Sequence, residues 1–377
     1  MKKKLSLTQA LLMFTGSSCG PYFLVNFGTK MRDINMLSLL IAFTIMGICC
    51  YNFMLLLEDL SKSTNSTDIR SMIMNIQPKY TTACTWLFYI YFVIVLIIMG
   101  FMAKKTLDGF GFIPDNIQYG LISAVLLLCG TYRNLLIEGD VLLNIIKFTF
   151  VASFIVAGTF FCCSNPEFSI LKQNISLGTD SGKTISGLLF AMACFGGMEN
   201  ILHIQNDMYA KDFRRAIRLL PLIVCFISIS VILLSGSIFT SEEQGFNLIP
   251  MFFKSKLDLT LISRIELTLM LIMQFSSIMT LMYLASKAGE LCLPKLITKS
   301  RFGISSCTLS IFLIAFFTIM NNILSIFEIV MCIIWMHFPI LHILKSRKLK
   351  QPMAVKSILF TIIFSFLLVK NIYDLIT

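Results

Sequence analysis

Apolar runs of about twenty residues succeed one another along this chain, and the longest stretch between two of them reaches only from Asp59 to Lys79. A bilayer core about 30 Å thick takes about 20 helical residues to cross, so each run has the length of a membrane span. About eleven fit, at roughly 7–27, 35–57, 80–102, 116–132, 141–163, 184–204, 219–240, 262–285, 303–321, 323–344 and 354–373. Only Asn321-Asn322 separates the ninth from the tenth. Charged residues are 14% of the 377, against about 25% in soluble domains. No intervening segment is long enough to fold alone. The expectation is an all-α polytopic membrane protein with one transmembrane domain over 1–377.

Two of the runs are interrupted in mid-span by small residues. The first reads Gly16-Ser17-Ser18-Cys19-Gly20-Pro21, and the sixth reads Phe195-Gly196-Gly197-Met198-Glu199. At membrane depth, backbone leaves the helix only where it lines a cavity. Two breaks five helices apart, in corresponding places of two halves, form the pattern that locates a carrier's binding site. A half-helix beginning beyond Gly20 turns free N–H groups and a positive dipole end toward the gap, which suits an anion. Unpaired carbonyls beside it suit a cation or an ammonium group. Both together suit a zwitterion such as an amino acid. The candidate substrate contacts are therefore Gly16, Ser17, Ser18, Cys19, Gly20, Phe195, Gly196 and Gly197. The competing explanation, that small residues simply let helices pack closely, accounts less well for two breaks in register.

Charges inside spans are rare and by default functional. Lys147 in the fifth run and Glu199 after the sixth-run break are the candidates for proton exchange or coupling. Snorkelling of Lys147 to the interface and a purely structural bond for Glu199 are the alternatives. Ser276 and Ser277 in the eighth run could place hydroxyls beside Lys147, although serine in a span commonly bonds its own backbone. His203 reads as packing or interfacial. Tyr89 and Tyr91 in the third run are candidate gates, as is Phe195 beside the break.

Placing the N-terminus in the cytoplasm puts twenty of the 31 Lys and Arg residues on the inner side and ten outside, with Lys147 in a span. That bias fits the positive-inside rule, and it reads the net charge of +11 as topology rather than as a nucleic-acid surface. The basic start and first apolar run imitate a secretory signal, but no leucine-like residue precedes the small triplet and ten more runs follow. The 12 cysteines lie mostly inside spans, without metal-ligand spacing, and read as inert buried thiols.

Several of these motifs resemble those of the amino acid–polyamine–organocation permeases, over most of the chain. Gly16 and Gly20 match the first-span Gly-x-x-x-Gly, although Pro21-Tyr22 stands where the family continues with a small residue and Gly. Leu57-Glu58-Asp59-Leu60 is similar to the close of the second helix. Asn134, Gly139, Lys147 and Gly158 follow the fifth-helix signature, and Phe195-Gly196-Gly197-Met198-Glu199 the sixth. Lys211-Asp212-Phe213-Arg214-Arg215 is similar to the segment after it, without its proline, and Ala285 to Pro294 resembles the segment after the eighth helix.

The resemblance implies a LeuT-like fold: an inverted 5+5 repeat, about 7–163 and 184–344, with discontinuous helices 1 and 6 and an accessory helix at about 354–373. It implies substrate between the two breaks, with the third and eighth helices completing the site, and Lys147 in the space of a sodium ion. The functional expectation is a secondary transporter of amino acids or amines, proton-coupled or exchanging, multi-pass in the cytoplasmic (inner) membrane. Its partners would be substrate and lipid, with no cofactor, metal, nucleic acid or enzymatic activity, as a monomer or homodimer. The alternative is a membrane amino-acid sensor on the same fold that binds without transporting.

Overall fold

The computed structural model describes residues 5–18, 21–64, 66, 69–111, 113–131, 136–165, 168–198, 201, 208–319, 323–348 and 355–376. Among them there is no sheet; one isolated bridge joins Leu5 to Met208. The helices in order are α1 (Leu7–Ser18), α2 (Pro21–Ile34), α3 (Met36–Thr64), α4 (Ile69–Ile76), α5 (Thr81–Asp108), α6 (Asp115–Thr131), α7 (Leu136–Ser164) and α8 (Phe168–Ser176). They continue as α9 (Ser181–Phe195), α10 (Ala210–Ile238), α11 (Leu248–Ser255), α12 (Thr260–Cys292), α13 (Lys295–Thr298), α14 (Arg301–Ile319), α15 (Ile323–Lys348) and α16 (Val355–Ile376).

Each expected span carries a helix. The first is divided between α1 and α2, and α4, α8, α11 and α13 are short pieces in the connections. Among the described residues five segments are long and apolar enough to cross a bilayer by themselves: α3, Pro78–Asp108, α10, Ser325–Arg347 and Val355–Tyr373. The bent pair α7 and α8 would make a sixth if taken as one span. Parts of α6, α9 and α14 are apolar but shorter, and need their neighbours to complete a crossing.

Where the helices differ from the expected spans, polar ends explain it. The seventh begins at Ala210, so Lys211, Arg214, Arg215 and Arg218 lie on its first turns rather than in a loop. Lys and Arg are good helix formers, and nothing at the interface stops them continuing the coil.

Antiparallel contacts of α12 with α5 and of α10 with α3, and the parallel packing of α9 along α3, form the interior, and α16 packs along α15. The close approach of α9 to α3 depends on Gly187, where a Cβ would sit 2.9 Å from Ala42 Cβ. Phe53 of α3 stacks on Trp335 of α15 with centroids 4.8 Å apart, and Phe364 of α16 meets that pair edge-on. The accessory helix is thus fastened by aromatic packing.

Candidate functional site

The sixth-span break is the sharper of the two. Asp180 caps α9, its carboxylate accepting from Gly182 N–H at 2.7 Å and Lys183 N–H at 3.4 Å. The helix runs to Phe195 and stops because Gly196 is extended (φ −58°, ψ 146°) and Gly197 is left-handed (φ 94°). Gly196 N–H closes on the Ala193 carbonyl at 3.2 Å, and the rest of the last turn loses its i+4 donors from the helix. A Cβ on Gly196 would lie 2.3 Å from Met331 Cε, so α15 packs directly on the break.

In the first span, α1 ends at Ser18 and α2 begins at Pro21. Gly16, Ser17 and Ser18 form the last turn of α1; their side chains, and all of Cys19 and Gly20, lie outside the described residues. So do Glu199, His203 and their neighbours Asn200 and Asn206.

The described start of α2 and the last turns of α9 face each other. Tyr22, the second residue of α2, packs on Phe190 of α9 with ring centroids 5.5 Å apart, and Phe327 of α15 meets Tyr22 edge-on at 5.2 Å. Phe43 of α3 touches Phe190 and Phe195, each at 6.0 Å. All five rings are buried. They form an aromatic layer across the gap on the side to which α2 leads.

Above that layer, the Tyr22 hydroxyl donates to Glu328 Oε1 at 3.4 Å and Asn371 Nδ2 to Glu328 Oε2 at 3.5 Å. Lys30 Nζ stands 3.9 Å from Glu328 and 5.9 Å from the centre of the Phe190 ring. One buried carboxylate of α15 therefore holds α2 and α16 together over the aromatic layer.

A second polar cluster joins α2 to α5 and α12. Asn26 Nδ2 donates to the Tyr22 carbonyl at 3.1 Å and meets Met102 Sδ at 3.2 Å. Gln274 Nε2 donates to Thr106 Oγ1 at 2.6 Å and to the Met102 carbonyl at 3.2 Å. The Gln274 Oε1 and Thr15 Oγ1 atoms, both fully buried, have no hydrogen-bond partner among the described residues. Helices α2, α5 and α12 thus bring polar groups together within about two turns of the first break, at 1.5 Å per residue.

The remaining candidates are dispersed. Ser277 is buried and bonds the Met273 carbonyl of its own helix at 3.1 Å; the Ser276 side chain lies outside the described residues. The backbone of Lys147 belongs to α7, which packs against α1, α10 and α12, and its side chain is also outside them. Tyr89 is buried between α5 and α14, its hydroxyl 3.1 Å from Thr308 Oγ1 and its ring edge-on to Trp86. Tyr91 is buried with its ring 5.2 Å from that of Phe92. The contacts that Tyr89 makes with Thr308 and Trp86, and Tyr91 with Phe92, are not with rings of the aromatic layer.

Two quoted motifs meet at the far end. Glu58 of α3 pairs with Lys62, with Arg214 at 3.6 Å and with Arg218 at 3.8 Å, tying α3 to α10. Besides Glu199, the candidate beside the sixth-run break, Glu266 and Glu328 are carboxylates inside apolar runs, both buried in helices. Their signal in the sequence is the same, since any carboxylate inside an apolar run is a functional candidate. Among the described residues no three His, Cys, Asp or Glu side chains converge as metal ligands.

No protein-family model matches the chain, and no curated protein matches it in sequence. Among solved structures, a variant of the manganese transporter of Eremococcus coleocola superposes with a TM-score of 0.60 and 11% identity. The match covers 97% of this chain and 86% of that one. A likeness at that identity shows the fold: an all-helical, polytopic membrane architecture of the LeuT-like transporter type.

Proposed function

We propose that this chain is a secondary transporter that moves an amino acid or related amine through a membrane by alternating access. The observation that carries the reading is the Gly196-Gly197 break, which stops α9 in the packed interior opposite the start of α2. The N-terminal amides of α2 favour a carboxylate, and carbonyls released at the end of α9 favour an ammonium group. The aromatic layer and the Glu328 contacts would be the closed barrier on the α2 side. Alternation then requires that barrier to part while the α1 side closes.

Membership of the amino acid–polyamine–organocation permeases, a cytoplasmic N-terminus, residence in the inner membrane and a monomeric or homodimeric state belong to the same proposal. So do Lys147 and Glu199 as coupling groups, and the lack of enzymatic activity. Lys147 sits on the helix that α1 packs against, where its charge would sense the position of the half-helix.

One observation favours a second substrate class. Sulfur atoms crowd the α9 break: Cys50 Sγ lies 3.4 Å from Met198 Sδ, Cys332 Sγ lies 3.9 Å from Met192 Sδ, and Met331 abuts Gly196. Thioethers and thiols suit soft transition-metal ions, and a protein of this fold carries manganese. The zwitterion ranks first because the described thiols do not converge on one point.

The test is thermal-shift screening of the purified protein against amino acids, polyamines and divalent or monovalent transition metals, followed by counterflow in vesicles. A ligand at 100 times its Kd should stabilise by about 2.7 kcal/mol. Stabilisation by an amino acid with counterflow supports the proposal. Stabilisation without counterflow selects the sensor, and stabilisation by metal alone selects the second reading.

A further inference from the structure

Glu266 lies on α12 in a setting the carrier reading above does not use. It is 4% exposed, and its Oε2 is buried with no hydrogen-bond partner among the described residues. Its Oε1 lies 2.7 Å from Ser153 Oγ on α7, and the same hydroxyl lies 2.7 Å from the Phe150 carbonyl. Phe150 and Phe154 flank Ser153 on α7, Leu267 and Met270 follow Glu266 on α12, and all four are buried.

Hydrogen counting decides the state of this group. Ser153 has one hydroxyl hydrogen, and it faces two oxygens at equal distance. An ionised carboxylate offers no hydrogen, so one of those contacts would be left without a proton. A protonated Glu266 supplies the second: its O–H donates to Ser153 Oγ, and Ser153 donates to the Phe150 carbonyl. Both lengths are then ordinary for O–H···O bonds. Desolvation points the same way, because a buried carboxylate with one bare oxygen and no cation costs several kcal/mol.

Among the described residues no cation compensates. Arg264 on α12 and Lys254 on α11 are exposed, and Lys256 beyond α11 pairs with Glu243. On α5, Lys104 pairs with Asp108 and with Asp115 of α6, while Lys105 covers the Phe101 and Phe246 rings. Lys30 of α2 faces Glu328. On α7 the side chains of Glu138, Asp140 and Lys147 lie outside the described residues, as does that of Arg301 on α14. Among the described residues none pairs with Glu266.

We propose that Glu266 is a proton-binding site that fastens α12 to α7, and that its proton leaves to water when those helices part. The use of that proton as a coupling ion rests on the transporter reading; the site itself does not. The link to transport is mechanical, since α7 packs on the half-helix α1 as well as on α12. A movement of α1 that drags α7 breaks the Ser153 bond, wets the carboxyl and lets it ionise.

The experiment is infrared difference spectroscopy of the full chain in vesicles as pH is stepped, on wild type, Glu266→Gln and Ser153→Ala. The expected result is a protonated-carboxyl stretch in the wild type that moves down in heavy water and disappears as pH rises. Glu266→Gln, which keeps shape and hydrogen bonding, should lack it. Ser153→Ala should retain it at higher frequency, having lost the acceptor. Absence of any Glu266-dependent band, or a band that no pH removes, overturns the proposal. The spectra require no substrate, so a chain that transports nothing yet shows the titrating band sinks the carrier reading and keeps the proton site.

Discussion

Replacing Gly196 by alanine tests whether the α9 break is a built feature. The new methyl would lie 2.3 Å from Met331 Cε and 3.2 Å from its Sδ, whereas carbon atoms sit comfortably at about 3.5–4.0 Å. The Met331 tip must therefore retreat by more than about 1 Å, into a site where it is 0% exposed. Overpacking of that kind costs about 1–3 kcal/mol. Met331→Ala by itself opens a cavity and costs about 2–5 kcal/mol. In the double variant the alanine methyl takes part of the space that the methionine vacated, so the two losses should fall short of their sum by about 1–3 kcal/mol. Thermal unfolding of the four proteins in one detergent measures the cycle, and counterflow on the same preparations reports the site. Losses that add to within about 0.5 kcal/mol would mean that α15 does not press on the break, and the account of how α9 is stopped would fall with it.

Tyr22→Phe removes the hydroxyl donated to Glu328. It should loosen the α2 barrier by about 0.5–1.5 kcal/mol, read as a two- to tenfold faster reaction of an impermeant thiol reagent with a cysteine placed at Phe327, in a background lacking Cys163. An unchanged rate speaks against the barrier. Gly197→Ala puts a side chain on a φ of 94° and should cost about 1–2 kcal/mol in thermal unfolding, while Gly178→Ala, equally left-handed but with open space around its Cβ position, should show the strain alone. Equal transport losses in the two would remove any special role for the break. Asp180→Ala deletes the α9 cap and should cost about 0.5–2 kcal/mol, whereas Asp180→Asn should restore most of it; failure of that rescue would refute capping. Glu243, in the connection between α10 and α11, is raised by partial burial but held below the ordinary glutamate range by Lys256 and Thr240. A depressed folded value means stability present above the unfolded value and lost as pH falls through the folded one. Glu243→Gln should therefore flatten the acid limb of the unfolding temperature and leave neutral pH little changed, since the pair is part-exposed and screened.

Much of the architecture was legible because hydropathy and helix breaking are local. The runs near 35–57 and 80–102 became α3 and α5. Gly196-Gly197 read correctly as a stop, since a left-handed φ is something a glycine adopts freely. Tyr22 shows the limit. In the sequence it was a departure from a resembled motif; in the fold its ring and hydroxyl hold the barrier against Phe190 and Glu328. Tyr89 shows the reverse, an aromatic that looked available to the gap and is committed to Thr308 on α14.

Local chemistry thus determined that the chain is a succession of apolar helices and that the coil stops at Gly196-Gly197. Only the tertiary structure decided which polar groups share a space. Tyr22 and Glu328 are 306 positions apart, and Ser153 and Glu266 are 113 apart. The reason is that a span's own backbone and lipid fix its helix independently of the others, whereas the rotation and depth at which helices pack depend on side-chain fit summed across the whole bundle. No single segment carries that sum.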